Sequence, residues 1–118
     1  MAGNDLLIEL EEVPDRNLVV MHLTGRIDSR TCNDLQEELE ILFGNGVCRV
    51  ILNLEAIDYF SSAGLGLFIN VSVGARERNG NIVLMSPSKC ILQLLHLIGV
   101  HDELSIAHDY QSAVRLLS

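Results

Sequence analysis

The chain has 118 residues, 48% of them apolar and 20% charged, a balance that fits one globular domain over residues 1–118 with a core able to hold the fold without cross-links. Sixteen acidic residues against eight basic ones leave a formal charge of −8, and aromatics make up only 4% with no Trp. The charge speaks against phosphate-backbone binding and the missing aromatics against single-strand stacking, so nucleic acid is excluded as a partner.

The polar opening Met1-Ala2-Gly3-Asn4-Asp5 lacks the basic stretch of a signal peptide, and no apolar run approaches the roughly 20 residues of a membrane helix. The expectation is a cytoplasmic protein without membrane insertion. Leu6, Ile8 and Leu10 alternate with Leu7, Glu9 and Glu11 and predict a half-buried strand. Pro14-Asp15-Arg16-Asn17 supplies turn chemistry, and residues 18–23 predict a second strand paired antiparallel with the first.

After Thr24-Gly25-Arg26-Ile27 the pattern becomes helical. Asp28 and Ser29 are candidate N-caps for a helix over residues 30–43, with Cys32, Leu35, Leu39, Leu42 and Phe43 inward and Asp34, Glu37, Glu38 and Glu40 toward water. Gly44-Asn45-Gly46 stops it. Residues 47–54 are nearly all apolar and rich in β-branched side chains, as in a central strand covered on both faces.

A helix over residues 61–78 follows, then a turn at Asn79-Gly80-Asn81 and a buried strand over 82–85. Ser86-Pro87-Ser88 opens a further helix with Ile91, Leu94, Leu95 and Ile98 inward and Gly99 at its end. A short strand near 104–106 and a last helix capped by Asp109, with Ala113, Leu116 and Leu117 inward, complete the order. Strand–helix–strand crossovers imply parallel pairing, so the expected fold is α/β: a small mixed sheet, an N-terminal antiparallel hairpin plus parallel strands, packed against about four helices.

The three cysteines, Cys32, Cys48 and Cys90, show no CxxC spacing and each lies among aliphatic residues, which predicts small buried hydrophobes rather than metal ligands. His22 falls inside a strand and His96 inside a helix, while His101-Asp102-Glu103 and His108-Asp109 read as a polar loop and a helix cap. The serine segment has the wrong order for a G-x-S-x-G nucleophile, and no Walker-type phosphate loop is present. No catalysis, metal or cofactor is expected.

Chemistry concentrates in Ile57-Asp58-Tyr59-Phe60-Ser61-Ser62-Ala63-Gly64-Leu65-Gly66, at the carboxyl end of the central strand and the start of a helix. Either serine could simply cap the helix. Alternatively, Ala63, Gly64 and Gly66 leave a first turn that another backbone can approach, displaying a serine whose phosphorylation would add about −1.5 to −2 charges. Asp58 reads as a turn residue.

These residues carry a resemblance. Together with Leu23-Thr24-Gly25-Arg26-Ile27-Asp28, the strand Val50-Ile51-Leu52-Asn53-Leu54, Ala75-Arg76-Glu77-Arg78-Asn79-Gly80 and Leu97-Ile98-Gly99-Val100, the segment resembles the STAS domain family and, within it, the bacterial anti-sigma factor antagonists. The resemblance covers nearly the whole chain. It implies a phosphoprotein of transcriptional signal transduction that works by partner switching. The unphosphorylated form binds an anti-sigma factor that is also its serine kinase, and so releases a sigma factor. Phosphorylation of one serine abolishes the binding and a metal-dependent phosphoserine phosphatase restores it.

Aligned on the family's Asp-Ser-Ser/Ala-Gly-Leu-Gly, the phosphoacceptor is Ser62, with Ser61 as the alternative because it stands where many members have Asp. Asp28 matches the acidic residue that neighbours the phosphorylated serine. Ser61, Ala63, Gly64, Leu67 and Val71 are the expected partner-binding residues. Leu67 and Val71 are assigned because they add apolar surface outside the stripe of Leu65, Phe68, Ile69 and Ser72. The competing expectation is a STAS scaffold or regulatory subunit of a signalling complex or transport system that never switches.

Overall fold

The structure is a computed structural model and describes residues 6–99 and 104–117. The expectations for Met1–Asp5 and for His101-Asp102-Glu103 lie outside the described residues. Five strands form one sheet in the order β1-β2-β3-β4-β5: β1 (Leu6–Val13), β2 (Leu18–Ile27), β3 (Arg49–Phe60), β4 (Asn81–Met85) and β5 (Ser105–Ala107). The first pair is antiparallel and the other three are parallel, as the alternation of strands and helices predicts.

Among the described residues four α-helices accompany the sheet: α1 (Thr31–Gly44), α2 (Ser62–Glu77), α3 (Lys89–Ile98) and α4 (Tyr110–Leu117). Strand alternation divides the core in two. Val19, Met21, Leu23, Val50, Leu52, Leu54, Ile82 and Leu84 face α1, α2 and α3, while Leu18, Val20, Ile51, Val83 and Met85 face α4. Covering both faces explains why residues 50–52 are apolar without alternation.

The helix ends follow local chemistry. α1 and α2 each stop on a left-handed residue, Gly46 (φ 86°) and Asn79 (φ 65°). Val47 N–H then donates to Leu42 O at 2.8 Å and Gly80 N–H to Ala75 O at 2.8 Å, the long return bond that satisfies a helix's last carbonyls. Ser88 caps α3 by accepting from Ile91 N–H at 3.2 Å, and Asp109 caps α4 through Ser112 N–H at 2.8 Å. Arg49 fastens the far end of α4 to the sheet, donating to Leu117 O at 2.7 Å and to Arg16 O at 3.0 Å.

Several expectations change. β2 runs on to Ile27 and β3 to Phe60, because each supplies the other's ladder through Arg26↔Tyr59 and Ile27↔Phe60. Asp58 is therefore a strand residue, not a turn residue. Leu10 is exposed because β1 is an edge strand with little packed on it. Ile98 and Leu116 are exposed too; α3 buries only Ile91 and Leu95, and Val114 takes the inward place expected of Leu116. Cys32 is buried, but Cys48 is half-buried and Cys90 is exposed.

Ser72 is 1% exposed on the inner face of α2, and its hydroxyl has no hydrogen-bond partner among the described residues. An unsatisfied buried hydroxyl costs stability, and Ala is the better helix former. Ser72→Ala is expected to raise the unfolding free energy by about 1 kcal/mol, read from the midpoint of urea denaturation at unchanged slope.

Candidate functional site

The carboxyl ends of β2 and β3 lie side by side and carry the segment singled out by the sequence. Ser61 leaves β3 in an extended conformation (φ −100°, ψ 170°) and occupies the N-cap position of α2. Its carbonyl accepts from Gly64 N–H at 3.1 Å and Leu65 N–H at 3.3 Å, and its own N–H donates to Ile27 O at 2.9 Å. No side chain caps this helix. The Ser61 hydroxyl is shut off from solvent without a partner among the described residues, whereas Ser62, the first residue of α2, is exposed. The capping alternative for the two serines thus fails at the hydroxyls, although Ser61 holds the position.

The first turn of α2 contains no acidic side chain, so no carboxylate of the helix itself offsets its positive dipole end. Ala63 and Gly66 are exposed, with open space around the position a Gly66 Cβ would take. Gly64 instead faces inward. A Cβ there would lie 2.7 Å from Ile27 Cγ2 and 2.9 Å from the Phe60 ring, which itself stacks on Phe68 at 5.1 Å between centroids. The missing side chain at Gly64 lets α2 rest on the ends of β2 and β3.

Leu67 and Val71 also depart from expectation. Both are 7% exposed and pack into the main core, so neither presents a free apolar surface. They lie at the floor of a groove of about 470 Å3 between α1 and α2, whose rims include Gln36, Glu40, Ala63 and Asn70. A helix with apolar residues on more than one stripe is here flanked by both the sheet and α1.

Asp28 follows directly after the end of β2. Its Oδ1 accepts from Arg30 N–H at 2.9 Å and Thr31 N–H at 3.0 Å, and Oδ2 accepts from Arg26 Nε at 3.2 Å. In return Asp28 N–H donates to Thr31 Oγ1 at 2.8 Å, a reciprocal cap at the start of α1. The Thr31 amide above all, then the Arg30 amide and the Arg26 guanidinium, hold the Asp28 carboxyl below its ordinary value, with partial desolvation opposing them. The Arg26 guanidinium also lies 4.7 Å above the Tyr59 ring. Asp28 is thus a cap, while Ser29 forms no cap.

The bond from Ser61 N–H to Ile27 O brings the 26–28 segment beside the serine turn, so Asp28 and Ser62 share one edge of the sheet. On the opposite face of the sheet, His22 Nε2 meets Glu11 Oε1 at 2.8 Å, and His22 Nδ1 accepts from Asn53 Nδ2 at 2.9 Å. This chain ties β1, β2 and β3 together and is invisible in the sequence, since its members are 11 and 31 residues apart. Among the described residues no three His, Cys, Asp or Glu side chains converge as a metal site, and no helix is long and apolar enough to cross a membrane.

Comparison with known proteins agrees with this architecture. The model of the STAS domain matches residues 8–113. The anti-sigma-B factor antagonist of Listeria monocytogenes is 26% identical over 102 residues, covering 86% of this chain and 89% of its own. Among solved structures, an anti-sigma factor antagonist from Mycobacterium paratuberculosis superposes with a TM-score of 0.77 at 16% identity, over 98% of this chain and 97% of its own. The antagonist SpoIIAA in its unphosphorylated form superposes with a TM-score of 0.71 at 22% identity, over 93% and 96% of the two chains. These likenesses at low identity establish the fold.

Proposed function

The chain belongs to the STAS domain family, and from that premise we propose that it is an anti-sigma factor antagonist whose binding is switched off by phosphorylation of Ser62. The observation that carries the reading is the contrast between two adjacent serines: Ser62 is exposed at a helix N-terminus whose first turn holds no acidic side chain, while the Ser61 hydroxyl is shut away. Curated relatives named anti-sigma-B factor antagonist support the same role.

In this reading the unmodified turn and its surroundings, Ser61 to Ala63 with the α1–α2 groove beside them, dock on an anti-sigma factor that is also a serine kinase. The kinase transfers a phosphoryl group from ATP. The Ser62 oxygen bonds to phosphorus, ADP leaves, and the hydroxyl proton passes to a base on the kinase. Free amides at the α2 N-terminus accommodate the phosphate with little backbone change, and the added charge, on a chain already at −8, weakens docking. A phosphoserine phosphatase reverses the step.

Mass spectrometry of the protein taken from its own cells under several growth conditions tests the site. The tryptic peptide after Arg49 and ending at Arg76 holds Ser61, Ser62 and Ser72, which fragmentation separates. Phosphate on Ser62 that changes with conditions is the expected result. Phosphate confined to Ser61 would relocate the switch, and none under any condition would favour a non-switching STAS scaffold.

A further inference from the structure

We infer that Thr31 is a positioning residue for the serine turn, acting through the single peptide plane between Ile27 and Asp28. Thr31 is 5% exposed, one of two buried polar side chains among the described residues. Its hydroxyl donates to Arg26 O at 2.9 Å and accepts from Asp28 N–H at 2.8 Å. The carbonyl of that same Ile27–Asp28 peptide accepts from Ser61 N–H at 2.9 Å. A peptide unit is planar and trans, so its N–H and C=O point in opposite directions and turn together. Fixing the N–H with Thr31 Oγ1 therefore fixes the direction of the carbonyl that receives Ser61.

The second bond removes the remaining freedom. By holding Arg26 O, the hydroxyl also orients the peptide on the other side of Ile27, so both planes flanking that residue are pinned. Ile27 is fully buried, and its Cγ2 fills the space a Cβ at Gly64 would take, in the first turn of α2. One hydroxyl thus sets where β2 ends, and the end of β2 holds Ser61 at the join between β3 and α2. The Asp28 carboxylate acts mainly elsewhere: its Oδ1 accepts from the Arg30 and Thr31 amides at 2.9 and 3.0 Å and lies a longer 3.4 Å from the Thr31 hydroxyl, and it does not bind this peptide. The consequence for partner binding rests on the Ser62 reading; the mechanical link does not.

Native-state hydrogen exchange of the full chain, resolved by NMR, separates the two. Thr31→Val keeps the shape of the side chain but loses the hydroxyl. It is expected to speed exchange of the Ser61 amide ~10-fold beyond any change at Ile51 and Leu52, fully buried in the first half of β3. Thr31→Ser should restore the original rate, and Asp28→Ala should leave the Ser61 amide protected while α1 frays. Should Thr31→Val fold poorly, Thr31→Cys, with its weaker hydrogen-bonding thiol, should give an intermediate rate.

A Ser61 rate that is unchanged, or that rises only in step with Ile51 and Leu52, overturns the assignment whatever the kinase does. A selective rise in exchange with undiminished binding of the anti-sigma kinase confirms Thr31 as the anchor and overturns the serine turn as the docking point.

Discussion

Ser62→Asp is expected to bind the anti-sigma kinase at least ~30-fold more weakly than the unmodified protein, a loss of about 2 kcal/mol, while Ser62→Ala binds within about threefold of it. The expectation follows from the position of the side chain. Ser62 is exposed and makes no cap, so trimming its hydroxyl removes nothing the fold uses. A carboxylate at the same place adds a charge where a partner must come into contact and shed water. Titration calorimetry of the two variants against the kinase measures the difference. Equal affinities would remove Ser62 as the switch, and a matching loss in Ser61→Asp alone would move it by one residue.

Gly80→Ala is expected to be the most damaging small substitution in the chain, costing about 3 kcal/mol or more. A Cβ at Gly80 would lie 2.0 Å from Cys48 O and 2.6 Å from the Cys48 carbonyl carbon, both backbone atoms. The obstruction cannot swing away as a flexible side chain would. Cys48 O also accepts from Asn81 N–H at 2.9 Å, and Gly80 N–H closes the end of α2 on Ala75 O, so the clash falls between two fixed bonds at the entry to β4. Gly66→Ala provides the contrast: its Cβ meets open space inside α2, and stabilisation of about 0.5–1 kcal/mol is expected. Urea denaturation of both variants checks the pair. A Gly80→Ala protein as stable as the parent would mean that the close approach of the chain to Cys48 is relieved at little cost.

Much of the site is legible in the sequence. The order of elements, the location of Ser61 and Ser62 between a strand and a helix, and the capping chemistry of Asp28, Ser88 and Asp109 all follow from side chains acting within a few residues of themselves. The spacing Asp28-x-x-Thr31 even carries the signal of the reciprocal cap, with Thr31 as the partner three positions on. The second role of Thr31 has no such signal, because it depends on Ser61, 30 positions away, meeting the other side of the same peptide.

The departures share one cause. Leu67 and Val71 stand outside the expected stripe of α2, but whether such residues are bare depends on what lies beside them, and they are sunk at the floor of the groove between α1 and α2. In α3 and α4 the reverse happens: Ile98 and Leu116 stand within the expected inward stripes and are left in solvent. Gly64 reads as open ground and is a packing contact with Ile27 and Phe60. Asp58 reads as a turn and is held in a strand because β2 extends beside β3.

Sequence by itself determined the local conformations, their order and hence the mixed sheet, because hydrophobic period, turn residues and caps act over one or two turns of chain. Tertiary structure alone decided which faces are covered, where β2 and β3 end, and that the Ser61 hydroxyl is shut away while Ser62 is presented. Those outcomes depend on which distant segment supplies the opposing surface or hydrogen-bond partner. Neither alternation nor helical spacing encodes that identity.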